Sequence, residues 1–160
     1  MSTKTLRDFI EEKAQVVNDA GRIEKVREWQ RAVAALLDQF RAWLKEADPH
    51  GVLKIEEERE EANEEGMGIF TVPALRILLD GAAVRVIPRS RRNAGWIDLG
   101  PVRHRREGGV DITSGSRRYF LYRAIVDGGD QWFAKADEFG APIQRLDRAR
   151  FEAIVQELLT

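Results

Sequence analysis

The sequence predicts an α+β protein, with helices at both ends packed on an antiparallel sheet. Apolar residues recur with a helical rhythm over residues 6–44. From Pro73 onward the period drops to two, with turn-forming pairs between short runs. Residues 145–160 then return to a helical stripe. At 160 residues the chain suits a single domain, one able to bury roughly 70% of its unfolded surface. Within it, residues 1–47 read as a helical part, 48–72 as an acidic connector, and 73–160 as the sheet with its closing helix.

Thr5 and Asp8 have capping-box spacing, aspartate replacing the usual glutamate. Leu6, Ile10, Val17 and Ala20 follow as a first apolar set. Ile23, Val26, Val33, Leu37, Phe40 and Leu44 form a second, interrupted at Gln30. Two successive steps of three separate the sets at "VNDAGR". A glycine costs a helix interior about 1 kcal/mol, so a break or kink is expected at residues 18–21. Trp29, Leu36 and Trp43 flank the second set and widen its apolar face beyond the narrow seam of a two-stranded coil. That face is expected to lie across the sheet. Asp48-Pro49 is either a stop or a new start. Glu56–Glu65 sets seven acids against Arg59 and reads as an exposed helix or a mobile acidic linker ending at Gly66.

"ALRILLDGAAVRVIP" is a hairpin turning at Asp80-Gly81, with Leu75, Ile77, Leu79, Val84 and Val86 on its core face. "GWIDLG" reads as a further strand. Residues 109–137 supply about three more, turning at Ser114-Gly115 and Asp127-Gly128-Gly129. Successive hairpins favour an antiparallel meander of about five or six strands. Asp147 is the N-cap candidate of the last helix, Leu146 and Phe151 its hydrophobic staple. Phe151, Ile154, Val155 and Leu158 form its inward stripe.

The net charge of −1 conceals an asymmetry. Residues 81–126 hold ten arginines and no lysine, against Asp98, Glu107 and Asp111. Arginine presents a planar fork of donors that suits phosphate and carboxylate. If the loops converge, Arg89, Arg91, Arg92, Arg103, Arg105, Arg106, Arg117 and Arg118 would line a polyanion site, with Trp96, Tyr119 or Tyr122 available to stack a base. The competing reading is internal, with the acidic tract docked against this segment. No helix-turn-helix, zinc-finger or RNA-recognition motif accompanies the arginines.

Catalytic signals are weak. His50 follows Asp48-Pro49, and His104 stands between arginines; neither has carboxylates at metal-ligand spacing. Asp98 and Asp111 lie in similar short strands and would hold a divalent ion, as a phosphodiesterase requires, only if both shared a face with a third ligand. Ser114 and Ser116 read as turn residues. No catalytic residue, metal ligand or cofactor site is therefore assigned. The absence of cysteine excludes disulfides and thiolate zinc sites. No apolar run reaches the roughly 20 residues that cross a bilayer. The acidic start resembles neither a secretory signal nor a transit peptide, so a cytoplasmic location is expected. The leading expectation is a non-catalytic interaction or regulatory protein within a larger assembly, with a protein partner or self-association through the N-terminal helices. Binding of nucleic acid or another polyanion is the alternative, and the metal-dependent phosphodiesterase a distant third.

Overall fold

The structure, a computed structural model, describes residues 5–92 and 95–160, and their side chains except those of 13–19. Among the described residues run two helices, α1 (Leu6–Ala47) and α2 (Arg148–Leu159). The strands are β1 (Lys54–Glu64), β2 (Gly68–Leu79), β3 (Ala82–Ser90), β4 (Trp96–Leu99), β5 (Val102–Arg105), β6 (Gly109–Ser114), β7 (Arg117–Val126), β8 (Gly129–Ala136) and β9 (Gln144–Arg145). One seven-stranded sheet has the order β1-β2-β3-β6-β7-β8-β9. Every neighbouring pair in it is antiparallel. The fold is therefore α+β, and the meander is interrupted once, by the separate β4–β5 ribbon.

Local chemistry sets the turns. Leu79 pairs with Ala82 and Val126 with Gly129, leaving two-residue loops. In both loops an aspartate and a glycine adopt positive φ, 47° and 82° at Asp80-Gly81 and 51° and 78° at Asp127-Gly128. That is the primed turn whose twist matches the flanking strands. At the ends of α1, Thr5 and Asp8 form the reciprocal capping box. Asp48 stops the helix, its carboxylate accepting the Val52 and Leu53 amides at 2.8 Å each. These backbone hydrogen bonds hold the Asp48 pKa below the usual carboxylate value. Asp147 caps α2 by accepting the Arg150 amide.

Both helices lie on one face of the sheet. Trp29, Val33, Leu36, Leu37, Phe40 and Leu44 from α1 join Phe151, Ile154, Val155 and Leu158 from α2. They are buried against Leu75, Ile77, Val84, Val86, Val110, Ile112 and Leu121. The rings of Phe40 and Phe151 stack at 4.0 Å. Burying each such side chain contributes roughly 1.5–3 kcal/mol. Gln30, which interrupts the apolar set, donates to the Thr71 carbonyl at 2.8 Å. The opposite face carries a smaller cluster, in which Ile97 of β4 is buried with Ala124 and Phe133. The β4–β5 ribbon thus covers the back of the sheet instead of extending it.

Three sequence expectations change. Helix α1 runs unbroken through residues 18–21. A side chain at Gly21 would meet nothing, and the cost of one glycine does not interrupt a long cooperative helix. The acidic tract is neither helix nor linker. It is strand β1, paired with β2 from Lys54↔Leu78 to Glu64↔Gly68. Glutamate has little preference for strands, but pairing and packing override it: Ile55 and Ala62 reach the core. Finally, β1, β5 and the two-residue β9 exceed the strands expected from alternation.

Helix α1 comes close to the chain entering β6 at Gly108, where a Cβ would lie 2.3 Å from the Trp29 ring. Replacing Gly108 with alanine must displace a fully buried indole. The expected loss is about 1–3 kcal/mol, as for other overpacked cores, measured as a lower urea midpoint with unchanged slope.

Candidate functional site

Most of the arginine segment is neutralised within the chain. Arg85 bridges Glu58 and Glu60 at 3.1 and 3.0 Å. Arg89 and Arg118 both engage the buried Asp111, at 2.7 and 3.7 Å. Arg103 pairs with Asp98 across the β4–β5 ribbon. Arg92 faces Glu65 at 3.6 Å, with both side chains mostly in water. Arg117 donates to the Glu157 and Leu158 carbonyls at 2.8 and 3.0 Å, supplying a cation and donors to the carbonyl end of α2.

Helix α1 adds a network that the sequence did not reveal. Glu28 accepts from Arg91 at 2.6 Å and from Arg123 at 2.5 Å. Arg123 is 4% exposed and also donates to Asp130 at 2.9 Å and to the Glu107 carbonyl. Burial by itself would raise the Glu28 pKa; the two arginine hydrogen bonds and charges outweigh it and hold the pKa below its ordinary value.

Among the described residues, the guanidinium groups of Arg105 and Arg106 engage neither a carboxylate nor a carbonyl. The Arg105 guanidinium lies 5.7 Å from the Trp96 ring centre, and that of Arg106 lies 3.9 Å from the Tyr122 ring centre. The Arg106 Nε is buried without an acceptor. Both line a cavity of about 620 Å³ where α1, the β1–β2 turn and the base of the β4–β5 ribbon meet. Arg91, Arg92, Lys25 and Trp96 share its wall with Glu65 and Glu107.

The structure thus gathers four of the eight nominated arginines, Arg91, Arg92, Arg105 and Arg106, with Trp96. Arg89, Arg103, Arg117 and Arg118 are bonded elsewhere. Tyr119 donates to Glu157 instead of facing the cavity. That hydrogen bond, followed by burial, pushes its pKa up to about 12. Tyr122 lies beneath Arg106 and is half-buried. Lys25, Glu28 and Arg123 went unrecognised. The usable signal for the first two was their position on either side of Val26, where the inward stripe of α1 begins.

The carboxylate pair imagined for a metal does not form. Asp98 lies in the β4–β5 ribbon and Asp111 in the main sheet, each held by arginine. Among the described residues there is no group of three or more metal-binding side chains. His50 is exposed in the turn after α1, and His104 pairs across the ribbon with Ile97. Among the described residues, no helix is long and apolar enough to cross a membrane.

A second surface lies at the start of α1. Its 42 residues correspond to about 63 Å at the α-helical rise, yet burial begins only at Val26 and Trp29. Every described side chain from Thr5 to Lys25 is exposed, including Leu6, Ile10 and Ile23. No family model matches the chain, and neither curated proteins nor solved structures give a match.

Replacing Glu28 with glutamine leaves Arg123 buried with weaker compensation. The expected loss at neutral pH is at most about 3 kcal/mol, the low end for breaking a buried pair, because Glu28 keeps some contact with water. Folding lowers the Glu28 pKa from its ordinary 4.5. Its contribution is therefore complete above that value and is lost as pH falls through the lower folded value. Denaturation curves of the two proteins should converge in acid.

Proposed function

We propose that this is a non-catalytic interaction protein of a larger assembly, and that its primary partner is a second copy of itself, bound through the overhanging half of α1. The observation that carries this reading is a projecting helix of about 30 Å, or some twenty residues, whose described side chains are exposed and include large apolar ones. Most helical stability in proteins comes from packing an amphipathic face. Gly21 weakens this helix further. A partner helix supplies the packing that the sheet does not reach.

The charge pattern favours a second copy in antiparallel orientation. Near its start the overhang carries Asp8, Glu11 and Glu12 against Arg7 and Lys13, a balance of −1. Near its root Arg22, Lys25 and Arg27 stand against Asp19 and Glu24, a balance of +1, with Arg22 also donating to the Met67 carbonyl and Glu28 turned inward onto Arg91 and Arg123. Antiparallel pairing sets the acidic start of one helix beside the basic root of the other, as e and g charges do in helix pairs. An extended nucleic-acid groove has less support, because most arginines that would track a backbone are bonded within the chain.

Analytical ultracentrifugation tests the reading. The protein is expected to sediment as a dimer at high micromolar concentration. The triple variant Leu6→Glu, Ile10→Glu, Ile23→Glu is expected to sediment as a monomer, with the near-ultraviolet tryptophan signal of the body unchanged. A monomeric parent protein at that concentration removes the self-association reading.

A further inference from the structure

Five cations border the cavity at the base of the β4–β5 ribbon, and Glu65 and Glu107 are its only carboxylates among the described residues. The cations are fixed to different degrees. Arg91 is held from behind through Nε by Glu28 at 2.6 Å, and none of the described residues accepts a hydrogen bond from its Nη atoms. Arg106 lies against the Tyr122 ring. On another side it fits closely over Gly95, where a Cβ would come within 3.2 Å of the guanidinium. Its Nε is buried without an acceptor, and among the described residues its Nη atoms have none either. Buried donors in native proteins rarely go unmatched, and each exception calls for a reason. Lys25 and Arg105 make no ion pair among the described residues.

We infer that this cavity binds a small phosphorylated molecule, its phosphate held by Arg105 and Arg106 together with Arg91, Arg92 and Lys25. A single carboxylate supplies one charge and two oxygens. A phosphate monoester or pyrophosphate supplies more of both, and matches several planar guanidinium forks at once. The cavity volume of about 620 Å³ falls within the range of small-ligand sites, roughly 300–1,000 Å³. A polymer would need cations continuing beyond the cavity. Arg103, Arg117 and Arg118, the nominated residues of neighbouring strands, are instead bonded to Asp98, to the end of α2 and to Asp111. The half-exposed Trp96 forms one wall beneath Arg105 and offers an aromatic surface to whatever carries the phosphate.

Isothermal titration of the full chain with inorganic pyrophosphate tests this. Saturable binding, one per chain and weakened by added salt, is the expected result. Arg105→Gln and Arg106→Gln should each weaken it about tenfold or more, as expected for lost hydrogen bonds to a charged group. Arg103→Gln removes the same charge from the same ribbon but outside the cavity, and should leave affinity unchanged. Because Arg106 packs on Tyr122, its variant is checked by circular dichroism; Arg105 is exposed, so its variant gives a reading whatever happens at Arg106. Three results overturn the inference: no binding at low ionic strength, equal losses in the Arg103 and Arg105 variants, or oligonucleotide binding that pyrophosphate fails to displace.

Discussion

The Glu28 carboxylate is the contact on which the arrangement turns. Arg123 sits on the helix-facing side of the sheet, nearly inaccessible to water, and a guanidinium there is tolerable only with matched acceptors. Glu28 and Asp130 supply them, with the Glu107 carbonyl completing the set. Because Glu28 is one residue from Trp29, the same turn of α1 that neutralises Arg123 also presses an indole against Gly108. Charge and shape together fix the position of a long helix along the sheet. The second oxygen of Glu28 reaches Arg91, tying the loop after β3 to the same point.

That anchoring divides α1 into two halves with different duties. Beyond Trp29 the helix is part of the core, with two tryptophans and Phe40 packed toward Trp132 and Phe151. Before Val26 its described side chains are exposed, and Arg22 reaches back to the Met67 carbonyl. A similar division runs through the arginines. Among the described arginines of residues 81–126, those near a carboxylate or a helix end are spoken for, whereas the guanidinium groups of Arg105 and Arg106, at the base of the β4–β5 ribbon, are not. The distinction separates a basic stretch of sequence from a basic place on the surface, and only the second is able to recognise anything.

The parts of the fold that follow local rules were legible in the sequence. The capping box at Thr5, the Asp80-Gly81 and Asp127-Gly128 turns, the closing helix and the broad face of α1 from Val26 to Leu44 each write their physics into a few adjacent residues, although Ile23, expected in that face, is exposed. Strand β1 was not legible, because nothing in a run of glutamates favours a strand until β2 and Arg85 stand beside it. The ribbon was half legible: "GWIDLG" reads as a strand, but its placement behind the sheet rests on Ile97 meeting Ala124 and Phe133, a contact between distant segments. The same holds for the cavity. Arg91, Arg92, Arg105, Arg106 and Trp96 were visible as residue types, whereas the roles of Lys25 and Glu28 depend on which face of α1 meets the sheet.

Strand β1 also settles how the sheet ends. It is the outermost strand on its side, and its free backbone edge is the kind that recruits further strands from other molecules. Here that border is studded with glutamates, so a copy approaching in register would set like charges directly opposite one another. At the far border the two-residue β9 covers only Phe133 and Ala134 of β8. A tract that reads as a docking surface is, in this setting, the outer border of the sheet, where carboxylates left without a cation disfavour edge-to-edge pairing with another copy.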